Sequence, residues 1–170
     1  MRREPRSVVG MRILPALALG GALLLLTACA AEPAVDLDEA RTWLDTVEAE
    51  QSDGPGAAGA ASMLVATAPD TPDQDDEHGI RMDFANPVAL KRADARCFGG
   101  DGIEVEVSVE VRASDGSTMS LTGTIPCDQE THGIDLAAAP SPAVAATVDG
   151  HGSASTYLHV LLIQELTVER

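Results

Sequence analysis

Aromatic side chains are scarce in this chain: Trp43, Phe84, Phe98 and Tyr157 are the only four in 170 residues. Sites for sugars and nucleobases are usually built on stacking faces, and few are on offer here. A core must instead come from Val, Leu, Ile and Ala. Basic charge is scarce too. Eleven Lys and Arg stand against 27 Asp and Glu, a formal charge of −16, and Lys91 is the only lysine. So acidic a surface repels phosphate backbones, which argues against any nucleic acid partner, and it repels anionic headgroups, which argues against a domain lying flat on a bilayer. Asn86 is the only asparagine; we read this as bias of composition and not of function.

Catalytic signatures are also lacking. There is no Gly-x-Ser-x-Gly elbow for a nucleophilic serine and no glycine loop ending in Lys to cradle phosphate. No Cys-x-x-Cys or His-x-His spacing marks a metal site. The acidic run from Asp70 to Glu77 lacks the turn glycine and terminal Glu of an EF-hand and reads as a solvated loop. Carboxylate pairs carry no information in a chain with this many acids. We therefore expect no catalytic residues, no cofactor and no metal, with a surface hydrolase or metal-dependent enzyme as the alternative.

What is present begins at the N-terminus. Arg2, Arg3, Arg6 and Arg12 precede an apolar run from Ile13 to Leu26, the order of a secretory signal. Met11 is a second possible start. The uncharged stretch from Ile13 to Ala31 is close to membrane-spanning length, but Pro15, the Gly20-Gly21 pair and a tail of small residues favour a cleaved signal over a permanent span. The run closes on Leu26-Thr27-Ala28-Cys29. These four residues resemble the lipobox of bacterial lipoprotein precursors, which reads Leu, a small residue, Ala or Gly, then Cys. The resemblance covers only the first 29 residues. It implies cleavage before Cys29, diacylglycerol on its sulfur, and anchoring on the outer face of the cell membrane; an ordinary secreted protein without lipid is the alternative. Two or more acyl chains are needed for a stable anchor. Residues 1–28 are then the signal peptide. They take with them four Arg and Glu4, leaving 7 basic and 26 acidic residues, a charge of −19.

With Cys29 assigned to lipid, Cys97 and Cys127 remain as one pair. An oxidising compartment lets them bond, and the 31-position loop so closed is worth about 3–4 kcal/mol in chain entropy. Two buried free thiols are the alternative.

The mature chain divides by pattern. Residues 29–35 form a stem. Asp36 is placed as an N-cap with Glu39 three residues on, and Leu37, Ala40, Trp43, Leu44 and Val47 recur at helical spacing, predicting one amphipathic helix within 36–51. Residues 52–78 read as a flexible Gly/Ala/Pro and acidic linker, with a short strand over 63–67. An antiparallel β domain is expected over 79–168. Its clearest strand is Ile103–Val111, where odd positions are apolar and even ones polar. Ala113-Ser114-Asp115-Gly116 signals a turn. Pairing Val111 with Ser117 sets Val109 opposite Met119, Ile103 opposite Ile125 and Cys127 opposite Asp101, which brings Cys97 near Cys127. A strand is expected over 79–84 and another over 90–98. A second hairpin is expected between Ala143–Val148 and Ser155–Gln164, turning at Asp149-Gly150-His151-Gly152, with 158–163 apolar enough to be covered on both faces. The fold class expected is mainly β: a small antiparallel sandwich or barrel-like domain preceded by one short helix that packs over one end.

The four histidines fall at His78 in the acidic loop, His132 near Asp128 and Glu130, His151 in the glycine turn and His159 in a strand. His132 with a neighbouring carboxylate supplies at most two ligands, short of a closed site. The function expected is thus a lipid-anchored extracytoplasmic protein with a non-catalytic β domain that meets an envelope protein or a small ligand, in addition to the membrane held through Cys29.

Overall fold

The computed structural model describes residues 35–51, 56–67 and 79–165. The signal segment, Cys29 and His78 lie outside them. One helix, α1 (Leu37–Gln51), precedes eight strands: β1 (Ala57–Val65), β2 (Ile80–Val88), β3 (Leu90–Cys97), β4 (Glu104–Ala113), β5 (Thr118–Pro126), β6 (His132–Asp135), β7 (Ala143–Gly152) and β8 (Thr156–Gln164). They form two antiparallel four-stranded sheets, β1-β8-β3-β6 and β2-β7-β4-β5. The sheets pack face to face and do not close, so the architecture is a sandwich and not a barrel.

The helix starts where its cap was expected. Asp36 Oδ1 accepts from the backbone N–H groups of Asp38 (3.0 Å) and Glu39 (3.1 Å), satisfying two of the donors that a helix start leaves open. Ala40, Leu44 and Val47 are buried, and α1 packs along β8. It therefore covers the outer face of the first sheet, not an end of the sandwich.

The core follows from alternation. Val105, Val107, Val109 and Val111 point inward from β4 and are fully buried, while Glu104, Glu106 and Glu110 face water. Leu158, Val160 and Leu162 answer them from β8, and Ala93, Ala95 and Cys97 from β3. Each buried Val or Leu contributes about 1.5–3 kcal/mol. Strand β8 is covered twice, by the second sheet on its Leu158 face and by α1 on its His159 face, which accounts for its nearly unbroken apolar run.

The β4–β5 hairpin forms, but two residues away from the expected register. Val111 pairs with Met119, Val109 with Leu121 and Val105 with Ile125. The loop is centred one residue further along the chain, at Asp115, than the pairing of Val111 with Ser117 would place it. Ala113 N–H donates to Ser117 O (2.9 Å), Gly116 N–H donates to Ala113 O (3.1 Å), and Gly116 takes a φ of 85°. This is a three-residue loop with its glycine in the left-handed region. In consequence Cys127 N–H donates to Ile103 O (2.9 Å) instead of standing opposite Asp101. The cysteines still meet. Cys97 at the end of β3 and Cys127 just past β5 are disulfide-bonded with Cα atoms 4.5 Å apart, joining one sheet to the other.

Two further expectations are corrected. The second hairpin does not exist: β7 and β8 belong to different sheets. The glycines at 150 and 152 lie within β7, where a Cβ on Gly150 would come 2.8 Å from Leu158 Cδ2 and one on Gly152 2.8 Å from Ala154 O. They are there for close approach between layers. The chain crosses over residues 153–155, where Ser153 N–H donates to Glu104 O (3.1 Å). At the start of β8 the buried Thr156 hydroxyl donates to Phe98 O. Finally, the small-residue stretch expected to be a flexible linker supplies β1, paired along β8 from Ala57↔Ile163 to Val65↔Thr156. Neither Ala nor Gly is a strong strand former, and the packing partner decides the outcome.

Candidate interaction groove at the free edge of β1

A sandwich has four strand edges, and each exposes unpaired backbone groups unless guarded. Two edges here have recognisable protection, those of β6 and β2. Strand β6 is four residues long. Strand β2 carries Arg81 and Asp83, contains Pro87, and breaks register between Asp83 and Val88. Strand β5 is uncharged over its nine residues and has proline only at its last position, Pro126. Strand β1 differs from β6 and β2. Its sequence, AAGAASMLV, has neither charge nor proline over nine residues; its register shifts once, between Ala57 and Gly59, runs regularly from Gly59 to Val65, and among the described residues its only paired strand is β8.

Along this edge runs a groove of about 400 Å³, lined by Glu48 of α1, Ala60, Ala61 and Ser62 of β1, Ile80 of β2 and His159 of β8. The small side chains of Ala60 and Ser62 make room for it. These two point outward from the first sheet, opposite Leu161 and His159, whereas Ala61 points inward to the core. The groove thus has a polar wall on the helix side, an apolar wall at Ile80, and a strand edge between. Leu64, two residues on and on the same outer face, is 54% exposed.

His159 is the most constrained group in the groove. It is 1% exposed. Its Nδ1 lies 2.9 Å from Ser62 Oγ, while Nε2 is buried and has no hydrogen-bond partner among the described residues. Burial, opposed by the Glu48 carboxylate and assisted by the Arg96 guanidinium, holds the imidazole below its ordinary pKa and so neutral. Ser62, His159 and Glu48 bring a hydroxyl, an imidazole and a carboxylate to one groove. Ser62, however, sits mid-strand in a regular ladder, whereas a nucleophilic serine is set on a sharp turn beside oxyanion donors.

The other residues singled out from the sequence fall elsewhere. Cys97 and Cys127 come together as a bonded pair. His132 Nε2 lies 2.9 Å from Asp128 Oδ1, which also accepts from Glu130 N–H (3.0 Å). His132 and the Glu130 backbone hold the Asp128 carboxyl below its usual range. His151 lies in β7 and not in a turn, with Nε2 3.3 Å from Asp149 Oδ2. Among the described residues no group of three or more His, Cys, Asp or Glu converges on one point. The outer face of the second sheet is polar, and among the described residues no helix or strand packs over it; Arg81 pairs with Asp83 at 2.6 Å and Ser108 with Ser120 at 2.8 Å, as expected of an antiparallel sheet with one polar face.

Sequence reasoning missed the groove. Ser62 and His159 are 97 positions apart, and nothing local announces their meeting. One signal was present: unlike the stretch just before it, Ala57–Val65 contains no proline and no charge. Comparison with protein-family models and with curated proteins finds no match to this chain.

Proposed function

We propose that this chain is an exported lipoprotein, anchored through lipid on Cys29 to the outer face of the cell membrane, whose β-sandwich is a non-catalytic module for binding a protein of the envelope. The observation that carries the reading is how the cysteines divide. Two of the three are taken up by a bond between the sheets, of a kind that persists in oxidising compartments. That leaves Cys29, directly after the apolar run and at the fourth position of the lipobox pattern. Val35 already packs against the core, so six residue steps from Cys29 reach at most about 20 Å. The domain would stand just clear of the headgroups, in keeping with its acid excess.

Mass spectrometry of the processed N-terminus tests the reading. The expected product begins at Cys29 and carries two or three acyl chains. Cys29→Ser should block the modification and shift the protein from the membrane fraction to the soluble or unprocessed one. An unmodified N-terminus at any other position, or a Cys29→Ser protein held as firmly as the original, would overturn it.

A further inference from the structure

We propose that the free edge of β1 accepts an extended segment of a partner protein as a fifth strand of the first sheet, and that this segment carries Lys or Arg on the side chains facing Glu48. The proposal rests on the reading above that the sandwich is an interaction module, and it names the surface and the chemistry of the partner.

Three observations carry it. The first is the edge itself. Its backbone groups are a ready template for another strand, and over Gly59–Val65, where its register is regular, β1 lacks the charge, proline and shortness that blunt β2 and β6. The second is the shape beside the edge. The groove follows Ala60–Ser62 between Glu48 and Ile80. Side chains of an added strand alternate between the two faces of the sheet. Those on the outer side would lie over Ala60 and Ser62, next to Glu48. Those on the inner side would meet the apolar wall at Ile80. The segment that fits therefore alternates basic or polar with apolar residues.

The third observation is charge. Glu48 forms no salt bridge among the described residues, and the chain as a whole carries −16. Such a field draws a cationic segment to the groove and repels an acidic one. It also counts against a second copy of this chain as the occupant, because β1–β1 pairing centred on Ala61 would bring two Glu48 side chains and two strongly acidic domains together.

The test uses the purified full-length chain in detergent and two synthetic peptides, acetyl-Lys-Val-Lys-Val-Thr-Val-Thr-amide and its counterpart with Glu for Lys. Binding is read by fluorescence anisotropy of labelled peptide, and its place by amide hydrogen exchange. The basic peptide should bind at least ten-fold more tightly than the acidic one and slow exchange within 57–65. Glu48→Lys, on an exposed helix position, should invert that preference. Ala60→Lys, an edge charge at an exposed position, should abolish binding of the basic peptide. No slowing within 57–65, or a preference that Glu48→Lys leaves unchanged, overturns the proposal. So does concentration-dependent dimerisation that slows the same amides without peptide, which would make a second copy the occupant. These outcomes are independent of fractionation. A protein that is lipidated at Cys29 but indifferent to both peptides sinks the groove and spares the anchor; one that binds the basic peptide but carries no lipid does the reverse.

Discussion

Ser62 of β1 and His159 of β8 are hydrogen-bonded across 2.9 Å through Oγ and Nδ1, beside Glu48 of α1, while the imidazole Nε2 has no partner among the described residues. An unpartnered buried nitrogen costs about 1–3 kcal/mol, and the cost grows when the ring is charged. The groups facing it are Glu48 from the helix and Arg96 from β3, of opposite sign.

The first prediction concerns pH. Burial lowers the folded-state pKa of His159 below its ordinary value of 6.5. At intermediate pH the unfolded chain then binds more protons, so stability rises with pH in that window. The contribution is fully present above about pH 6.5 and is lost as pH falls toward and through the lowered folded value. Urea midpoints measured from pH 7.5 to 5 should decline more steeply in the natural protein than in His159→Phe. His132 and His151 remain in both proteins and cancel from the difference. Equal slopes would show that the imidazole is not held neutral by its surroundings.

The second prediction concerns the bond between the sheets. Cys97 and Cys127 close a loop with a sequence separation of 30. Replacing both by Ala should cost about 3–4 kcal/mol by the chain-entropy estimate. Because Cys97 and Cys127 are also buried, a small packing loss adds to it. Thermal unfolding with and without reductant measures the first part alone. If reductant leaves the transition unmoved while free thiols appear, the bond does not constrain the chain.

How legible this fold was depends on the range over which each feature is decided. The alternation of Ile103–Val111 is local, and the structure buries it as written. The hairpin register was legible only in parity. A slip of one residue sets apolar against polar, but a slip of two does not, so pattern alone could not separate Ser117 from Met119 as the partner of Val111. The loop from Ser114 to Gly116 decided it. Glycines misled at β7 because a turn and a close approach ask for the same residue. Gly150 serves the second purpose. At β1 the signal was faint because Ala and Gly pack by virtue of their neighbours, here Leu158 to Ile163 of β8. The groove draws on α1, β1, β2 and β8 at once, which is why it could not be read one segment at a time.

The loop at Gly116 gives the third prediction. Its φ of 85° lies where a Cβ meets the backbone, though open space surrounds it. Gly116→Ala should therefore cost about 1–2 kcal/mol through backbone strain alone. The exposed turn offers no compensating burial. Chemical denaturation with an unchanged m-value would confirm a local effect. A variant as stable as the natural protein would mean that the loop has moved to another turn type.

The fourth prediction separates crowding from strain at the other informative glycine. Gly150 has an ordinary φ and faces the core. A Cβ there would stand 2.8 Å from Leu158 Cδ2, 3.2 Å from Val65 Cγ2 and 3.6 Å from Val105 Cγ1. All three neighbours are side chains, and two of the strands concerned, β1 and β8, belong to the opposite sheet. Gly150→Ala must push the layers apart or force Leu158 off its rotamer, at about 1–3 kcal/mol. Leu158→Ala alone should cost about 2–5 kcal/mol by leaving a cavity. Combined, the added methyl occupies part of the space the leucine vacates, so the double variant should be more stable than the sum of the two losses implies. A double-mutant cycle in urea measures this coupling, which is expected at about 0.5–3 kcal/mol for residues in contact. Strict additivity would mean that β7 and β8 do not touch at this point, and that the crossing between the sheets is looser than the placement of Gly150 requires.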